Sequence, residues 1–136
     1  MLTGRHVVLG VTGSIAAYKA VGLLRRLTER GARVTVVMTA AAKRFVAPLT
    51  FQTLSGRPVY DDLFDPREEI VHLTLAERAD LVLIAPATAN TISRLAAGAA
   101  SDLLSSVALS ARCPVMLAPA MDAVMWEHPL VRRNLD

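Results

Sequence analysis

Apolar and polar positions along this 136-residue chain fall into blocks of two lengths. The short blocks are continuous apolar runs: Val7 to Leu9, Arg33–Met38, Leu81–Ala85 and Pro114–Ala118. Runs of that length, rich in Val, Ile and Leu, predict strands buried on both faces, as in a parallel sheet. The long block, Ile15–Arg30, spaces Ala16, Ala17, Ala20, Leu23, Leu24 and Leu27 along one helix face before Gly31 ends it. Shorter helices are predicted over Ala40–Val46, Leu49–Leu54 after Pro48, Leu73–Ala79, Ile92–Ala97 up to Gly98, Leu103–Ala111, and from Pro129 onward. Arg57–Glu69, with Pro58, Pro66 and most of the local acidic residues, predicts an exposed loop holding one short strand at most. Strands alternating with helices imply one three-layer α/β domain, a doubly wound parallel sheet with right-handed crossovers.

In such sheets the ligand sits at the carboxyl ends of the strands. The first of these ends is the stretch around which the chain is organised, VLGVTGSIAAYK. Gly10 and Gly13 allow a tight exit from the strand, and Ser14 can cap the following helix. Free backbone N–H groups and the positive end of the helix dipole then face the same way, which suits an anion such as a cofactor phosphate. The spacing is neither the Gly-x-Gly-x-x-Gly fingerprint nor a Walker loop. A plain tight turn is the alternative. Thr39 closes the second strand, and Thr88, Asn90 and Thr91 follow the third, so two junctions place small polar groups on one rim. His72 opens a helix, where a surface or capping histidine is the alternative to a functional one. Two methionines and the single tryptophan follow the fourth strand, where they either complete the core or cover a flat ligand.

Composition narrows the options. A hydrophobic fraction of 53% is ample for a core, while 4% aromatic leaves Ala, Val and Leu to fill it. A net charge of +3 without long basic runs gives little support to a nucleic-acid surface. Cys113, the single cysteine, excludes an internal disulfide and points to a reducing cytoplasm. It reads as a small apolar residue at a strand entrance rather than a nucleophile. No apolar run reaches membrane-spanning length and no signal-peptide pattern opens the chain. No metal-ligand cluster is apparent.

Four stretches together, GSIAAYK at Gly13–Lys19, a histidine opening a helix at His72, PATANT at Pro86–Thr91 and PAMDAVMW at Pro119–Trp126, resemble the flavin-dependent cysteine decarboxylases. The resemblance runs in order through nearly the whole chain. It implies a flavodoxin-like, Rossmann-like domain holding FMN, in a homo-oligomer built on trimers with the flavin near a subunit interface. By position it implies flavin contacts at Gly13, Ser14, Ile15, Thr39, Thr88, Asn90 and Thr91, with Ser105 and Ser106 as further candidates. It assigns His72 as the catalytic histidine and Ala120, Met121 and Asp122 to the substrate stretch. The expected activity is decarboxylation of phosphopantothenoylcysteine in coenzyme A biosynthesis. A peptide with a C-terminal cysteine, flavin prenyl transfer, and a non-catalytic flavin-binding regulatory subunit are the rivals. The chemistry is coherent, because oxidising the thiol to a thioaldehyde creates the electron sink that an ordinary cysteine carboxylate lacks. Two departures stand out. Asp122 occupies the position of the family's asparagine, and an ionised carboxylate cannot donate the amide hydrogen bond. The family's flap, with its reactive cysteine, and any synthetase domain would follow Asp136, and Cys113 does not match that cysteine.

Overall fold

The computed structural model describes residues 1–67 and 70–136, so Glu68 and Glu69 of the predicted loop lie outside the described residues. Four parallel strands, β1 (His6–Val11), β2 (Arg33–Met38), β3 (Leu81–Ala87) and β4 (Val115–Pro119), form one sheet in the order β2-β1-β3-β4. Alternate β1 residues feed two cores. Val7, Leu9 and Val11 join Val34, Val36 and Met38 beneath α1 (Ala17–Glu29) and α2 (Pro48–Ser55), with Leu24 and Phe51 fully buried. Val8, Val82 and Ile84 face α3 (Val71–Arg78), α4 (Ala89–Ala97) and α5 (Leu103–Ser110) through Val71, Leu75, Ile92, Leu104 and Val107. The alternation of a pleated strand thus makes the three layers.

The helix boundaries teach where local signals act. The first helix starts at Ala17, two residues after the predicted Ile15, and has no side-chain cap. Ser14 instead closes the turn before it, accepting the Ala16 N–H at 3.1 Å. Ala40–Val46 shortens to a 3-10 turn at Ala42–Arg44. Gly10 lies inside β1, not at its exit; a Cβ there would stand 2.5 Å from the Leu104 side chain, so glycine serves close packing of α5 on the sheet. The predicted loop is only partly exposed. Tyr60 pairs with Val37 on the outer edge of β2, and Val59, Tyr60 and Asp65 are buried. Arg67 holds this turn together: it clasps the Asp65 carboxylate, donates to the Val59 carbonyl at 2.9 Å and stacks 4.6 Å above the Tyr60 ring. That side-chain hydrogen bond is the main cause holding the Asp65 carboxyl below the usual carboxylate range. After β4 the chain forms α6 (Ala123–Glu127), which the pattern of apolar positions did not reveal, and α7 (Pro129–Leu135).

Candidate functional site

Between β1 and β3 the chain reverses its direction of travel across the sheet, and such a switch point opens a crevice at the carboxyl edge. Thr12 closes the floor of that crevice. Its hydroxyl donates to the Pro86 carbonyl and accepts the Thr88 N–H at 3.1 Å, so one buried side chain fastens the first junction to the third. On the other side the Thr39 N–H donates to the Val11 carbonyl at 3.1 Å, and the Thr39 hydroxyl accepts the Ala42 N–H at 3.2 Å. A Cβ on Gly13 would stand 2.4 Å from that of Ala41, so only glycine lets these two loops touch. The Ala120 N–H reaches the Ala87 carbonyl at 3.0 Å. All four strand ends are thereby joined into one rim.

The rim has donors to spare. The Ser14 N–H turns back to the Thr12 carbonyl, but the Gly13 and Ile15 N–H groups have no acceptor among the described residues. They lie just before the first turn of α1, where the helix dipole is positive. Thr88 caps α4, accepting the Thr91 N–H at 3.2 Å and donating to the Thr91 hydroxyl at 3.1 Å. An anion-binding cradle followed by hydroxyls fits a phosphate and a polar chain leading from it. Beside the rim, a groove of about 800 Å³ opens between α4 and α6–α7, walled by Asn90, Ser93, Met125 and His128. A smaller slot of about 320 Å³ lies between α1 and the ends of β3 and β4, lined by Lys19, Pro86, Pro119 and Ala120.

His72 is the second residue of α3, half-buried, with no hydrogen-bond partner among the described residues. A helix leading into a parallel strand runs against it, so α3 begins at the carboxyl edge and His72 shares the rim's level. Asp122 caps α6 by accepting the Met125 N–H at 2.9 Å, a role its amide counterpart would also fill, and is exposed. Met121 packs against the core at the same strand end. Ser105 and Ser106 are placed differently. Both hydroxyls are engaged at the start of α5: Ser105 completes a capping box with Asp102, and Ser106 donates to the Asp102 carbonyl at 2.8 Å. Arg94 pairs with the same carboxylate at 2.9 Å. Sequence reasoning passed over Thr12 and His128. The signal for Thr12 was the one used for Thr39, a hydroxyl at a strand end. His128 offered only a residue before a proline, and its ring nitrogen Nδ1 accepts the Leu130 N–H at 3.1 Å.

Taken together, a doubly wound sheet with an anion cradle and a hydroxyl-lined rim at its switch point defines an α/β cofactor-binding domain of the flavodoxin-like class. The chain belongs to the Flavoprotein family, whose model matches residues 1–136, and a flavin is the cofactor class that goes with it. It is 53% identical over 136 residues to the coenzyme A biosynthesis bifunctional protein CoaBC of Vibrio cholerae, a match covering 98% of this chain and 34% of that protein. The chain thus spans about a third of the length of such relatives. Among solved structures, the FMN-dependent cysteine decarboxylase SpaF superposes with a TM-score of 0.92 at 34% identity, covering 100% of this chain and 79% of that one. A PPC decarboxylase mutant complexed with pantothenoylaminoethenethiol gives 0.85 at 30% identity, covering 96% and 75%. Among the described residues no helix is long and apolar enough to cross a membrane, and no three or more His, Cys, Asp or Glu side chains are grouped so as to hold a metal ion.

Proposed function

We propose that this chain is an FMN-dependent decarboxylase domain that converts 4′-phosphopantothenoylcysteine into 4′-phosphopantetheine. The observation that carries the reading is the convergence of Gly13–Ile15, Thr39, Thr88–Thr91 and Ala120–Asp122 on one rim, in a chain half identical to proteins named for coenzyme A biosynthesis. The unpaired Gly13 and Ile15 N–H groups and the Ser14 turn receive the phosphate. One such cradle suits the single phosphate of FMN, the cofactor on which the similar cysteine decarboxylase SpaF depends. Thr39, Thr88, Asn90 and Thr91 line its approach. Bound flavin supplies the oxidising equivalent that turns the substrate thiol into an electron sink. His72 serves as a base or charge-orienting group, since a neutral imidazole offers one donor and one acceptor nitrogen. Asp122, Met121 and Ala120 hold the substrate.

A homo-oligomer built on trimers belongs to the same reading. Val115, Met116, Val124, Met125 and Leu130, on β4, α6 and α7, are 41–81% exposed, an apolar surface of the kind that subunits cover. A cytoplasmic site of action agrees with the lone thiol. The test is purified protein given added FMN, then phosphopantothenoylcysteine or a peptide ending in cysteine under anaerobic conditions. Flavin absorption, bleaching and carbon dioxide release with the phosphopantothenoyl substrate are expected. A protein that takes up no FMN overturns the cofactor; turnover of the peptide alone replaces the substrate; flavin uptake with no turnover of either leaves a binding module.

A further inference from the structure

At the amino edge of the sheet, opposite the cofactor rim, a second cavity of about 310 Å³ is lined by His6, Arg33, Thr35, Arg57, Pro58, Tyr60, Leu75 and Arg78. Three of the lining residues are arginines, and no acidic residue lines it among the described residues. None of the three arginines is in an ion pair with a described residue. The neighbouring Asp80 is occupied elsewhere, accepting the His6 backbone N–H at 2.8 Å and facing Arg5 at 3.9 Å. Arg67, behind Tyr60, is already matched by Asp65. Arg78 ends α3 and Arg57 follows the α2 C-cap Gly56, so the partial negative charge of those helix ends offsets part of their charge, while Arg33 opens β2. An excess of positive charge remains.

The polar lining is built rather than incidental. His6 is buried and fixed at both nitrogens: Nδ1–H donates to the Arg78 carbonyl at 3.1 Å, and Nε2 accepts the Thr35 hydroxyl at 2.8 Å. Tyr60 is buried as a residue, and its hydroxyl, which has no hydrogen-bond partner among the described residues, reaches solvent at the cavity. In keeping with that geometry, burial first, and then the charges of Arg57 and Arg33, hold the His6 imidazole below its ordinary pKa. Their charge therefore reaches the cavity wall. Guanidinium forks and a free phenol match phosphate oxygens in geometry as well as in sign.

We propose that this amino-edge cavity is a second anion site that takes a diphosphate group, either as the free anion or as part of a nucleotide. Arg33, Arg57 and Arg78 would clasp its oxygens and Tyr60 would donate one further hydrogen bond. The site is separate from the flavin rim by the full length of the strands, so its occupancy can be read without disturbing the cofactor.

The test is calorimetric titration of FMN-saturated protein, in phosphate-free buffer, with inorganic pyrophosphate and separately with ATP. Binding of either is expected, and the tighter of the two identifies the source of the phosphate groups. Arg33→Gln and Arg57→Gln should each weaken it about tenfold or more, the order of one lost charge-assisted hydrogen bond. Arg30→Gln removes the same charge outside the cavity and should leave affinity unchanged. Arg33 is exposed and Arg57 half-buried, neither is in an ion pair with a described residue, and a thermal midpoint for each variant checks that the fold is kept. The proposal is overturned if neither probe binds at millimolar concentration. It is equally overturned if Arg33→Gln and Arg57→Gln bind as the parent does, or if Arg30→Gln loses as much as they do.

Discussion

At the carboxyl edge the strands run into Thr12, Thr39 and Thr88, with Gly13 and Ser14 between them and no ionised side chain among the five. At the amino edge, the strands begin beside His6, Arg33 and Arg78, with Arg57 close by. Both ends belong to the same parallel sheet, and the parallel arrangement makes them unequal. Helices start at the carboxyl edge, so free N–H groups and positive dipole ends gather there and an anion needs no countercharge from side chains. Helices finish at the amino edge, where carbonyl ends gather and cationic side chains are favoured. One edge attracts anions with its backbone, the other with arginine. The first arrangement leaves room for a reacting histidine and a substrate; the second makes a charged pocket.

The largest effect that separates the edges is expected at His72. His72→Asn should keep the fold and the flavin, whose proposed contacts come from other loops, and should slow turnover by about 10²–10⁴-fold, the usual cost of a lost acid–base group. Anaerobic flavin bleaching with phosphopantothenoylcysteine checks it. Bleaching within a few-fold of the parent would make His72 structural.

Gly13→Ala comes next. Its methyl would meet the Ala41 Cβ at 2.4 Å and the Ala41 carbonyl carbon at 3.1 Å, so backbone has to move. A loss of about 1–3 kcal/mol in urea unfolding is expected, the ordinary cost of overpacking, together with weaker flavin retention. Gly22→Ala, in open space on α1, is the matched control and should not destabilise.

A smaller effect distinguishes the edges by charge alone. Ser14→Asp puts a carboxylate beside the proposed phosphate and should cost flavin binding about 1 kcal/mol or more. Arg33→Asp makes a larger change of charge at the far edge, beyond the range of screened interaction at physiological salt, and should leave flavin affinity within about twofold. Equal losses from the two variants, measured by flavin fluorescence titration, would mean that general charge and not the Ser14 turn sets affinity.

Much of this layout was legible in the chain. Apolar runs mark all four strands, and β1 and β3, in the middle of the sheet, are buried along nearly their whole length; β4, predicted to be buried on both faces, lies at the sheet edge and is largely exposed. Gly56 and Gly98 end their helices in the left-handed conformation that glycine favours. The start of α5 at Leu103 was read correctly, but the capping box that Ser105 makes with Asp102 was not, since Ser105 was offered as a flavin contact. What escaped was long-range. The role of Gly10 depends on Leu104, far along the chain, and the Thr12 staple depends on Pro86 and Thr88. His72 seemed detached from the strand ends until the direction of α3 brought its start to the same edge. The amino-edge cavity left no local trace, since its arginines come from three separate places, the start of β2, the turn after α2 and the end of α3.

The smallest expected effect lies in that cavity and concerns protons. Burial is the largest cause lowering the His6 pKa from its ordinary 6.5; Arg57 and Arg33 lower it further, while the Arg78 carbonyl and Asp80 oppose them. The unfolded chain therefore binds the His6 proton more readily than the folded one. Stability from the neutral imidazole is fully present above pH 6.5 and falls away as pH drops below it. The geometry gives the same sign, because Nε2 accepts the Thr35 hydroxyl and a protonated ring would lose that acceptor. Thermal midpoints at pH 7.5 and 5.5 measure the effect, in a buffer free of phosphate so that no anion screens the arginines. The parent should lose more between the two values than His6→Gln, which keeps a hydrogen-bonding amide but does not titrate. All other residues are the same in both proteins, so their contributions cancel in the difference. Equal losses in parent and variant would show that the imidazole takes up its proton as easily in the fold as outside it, and that the amino edge is less positive than its three arginines imply.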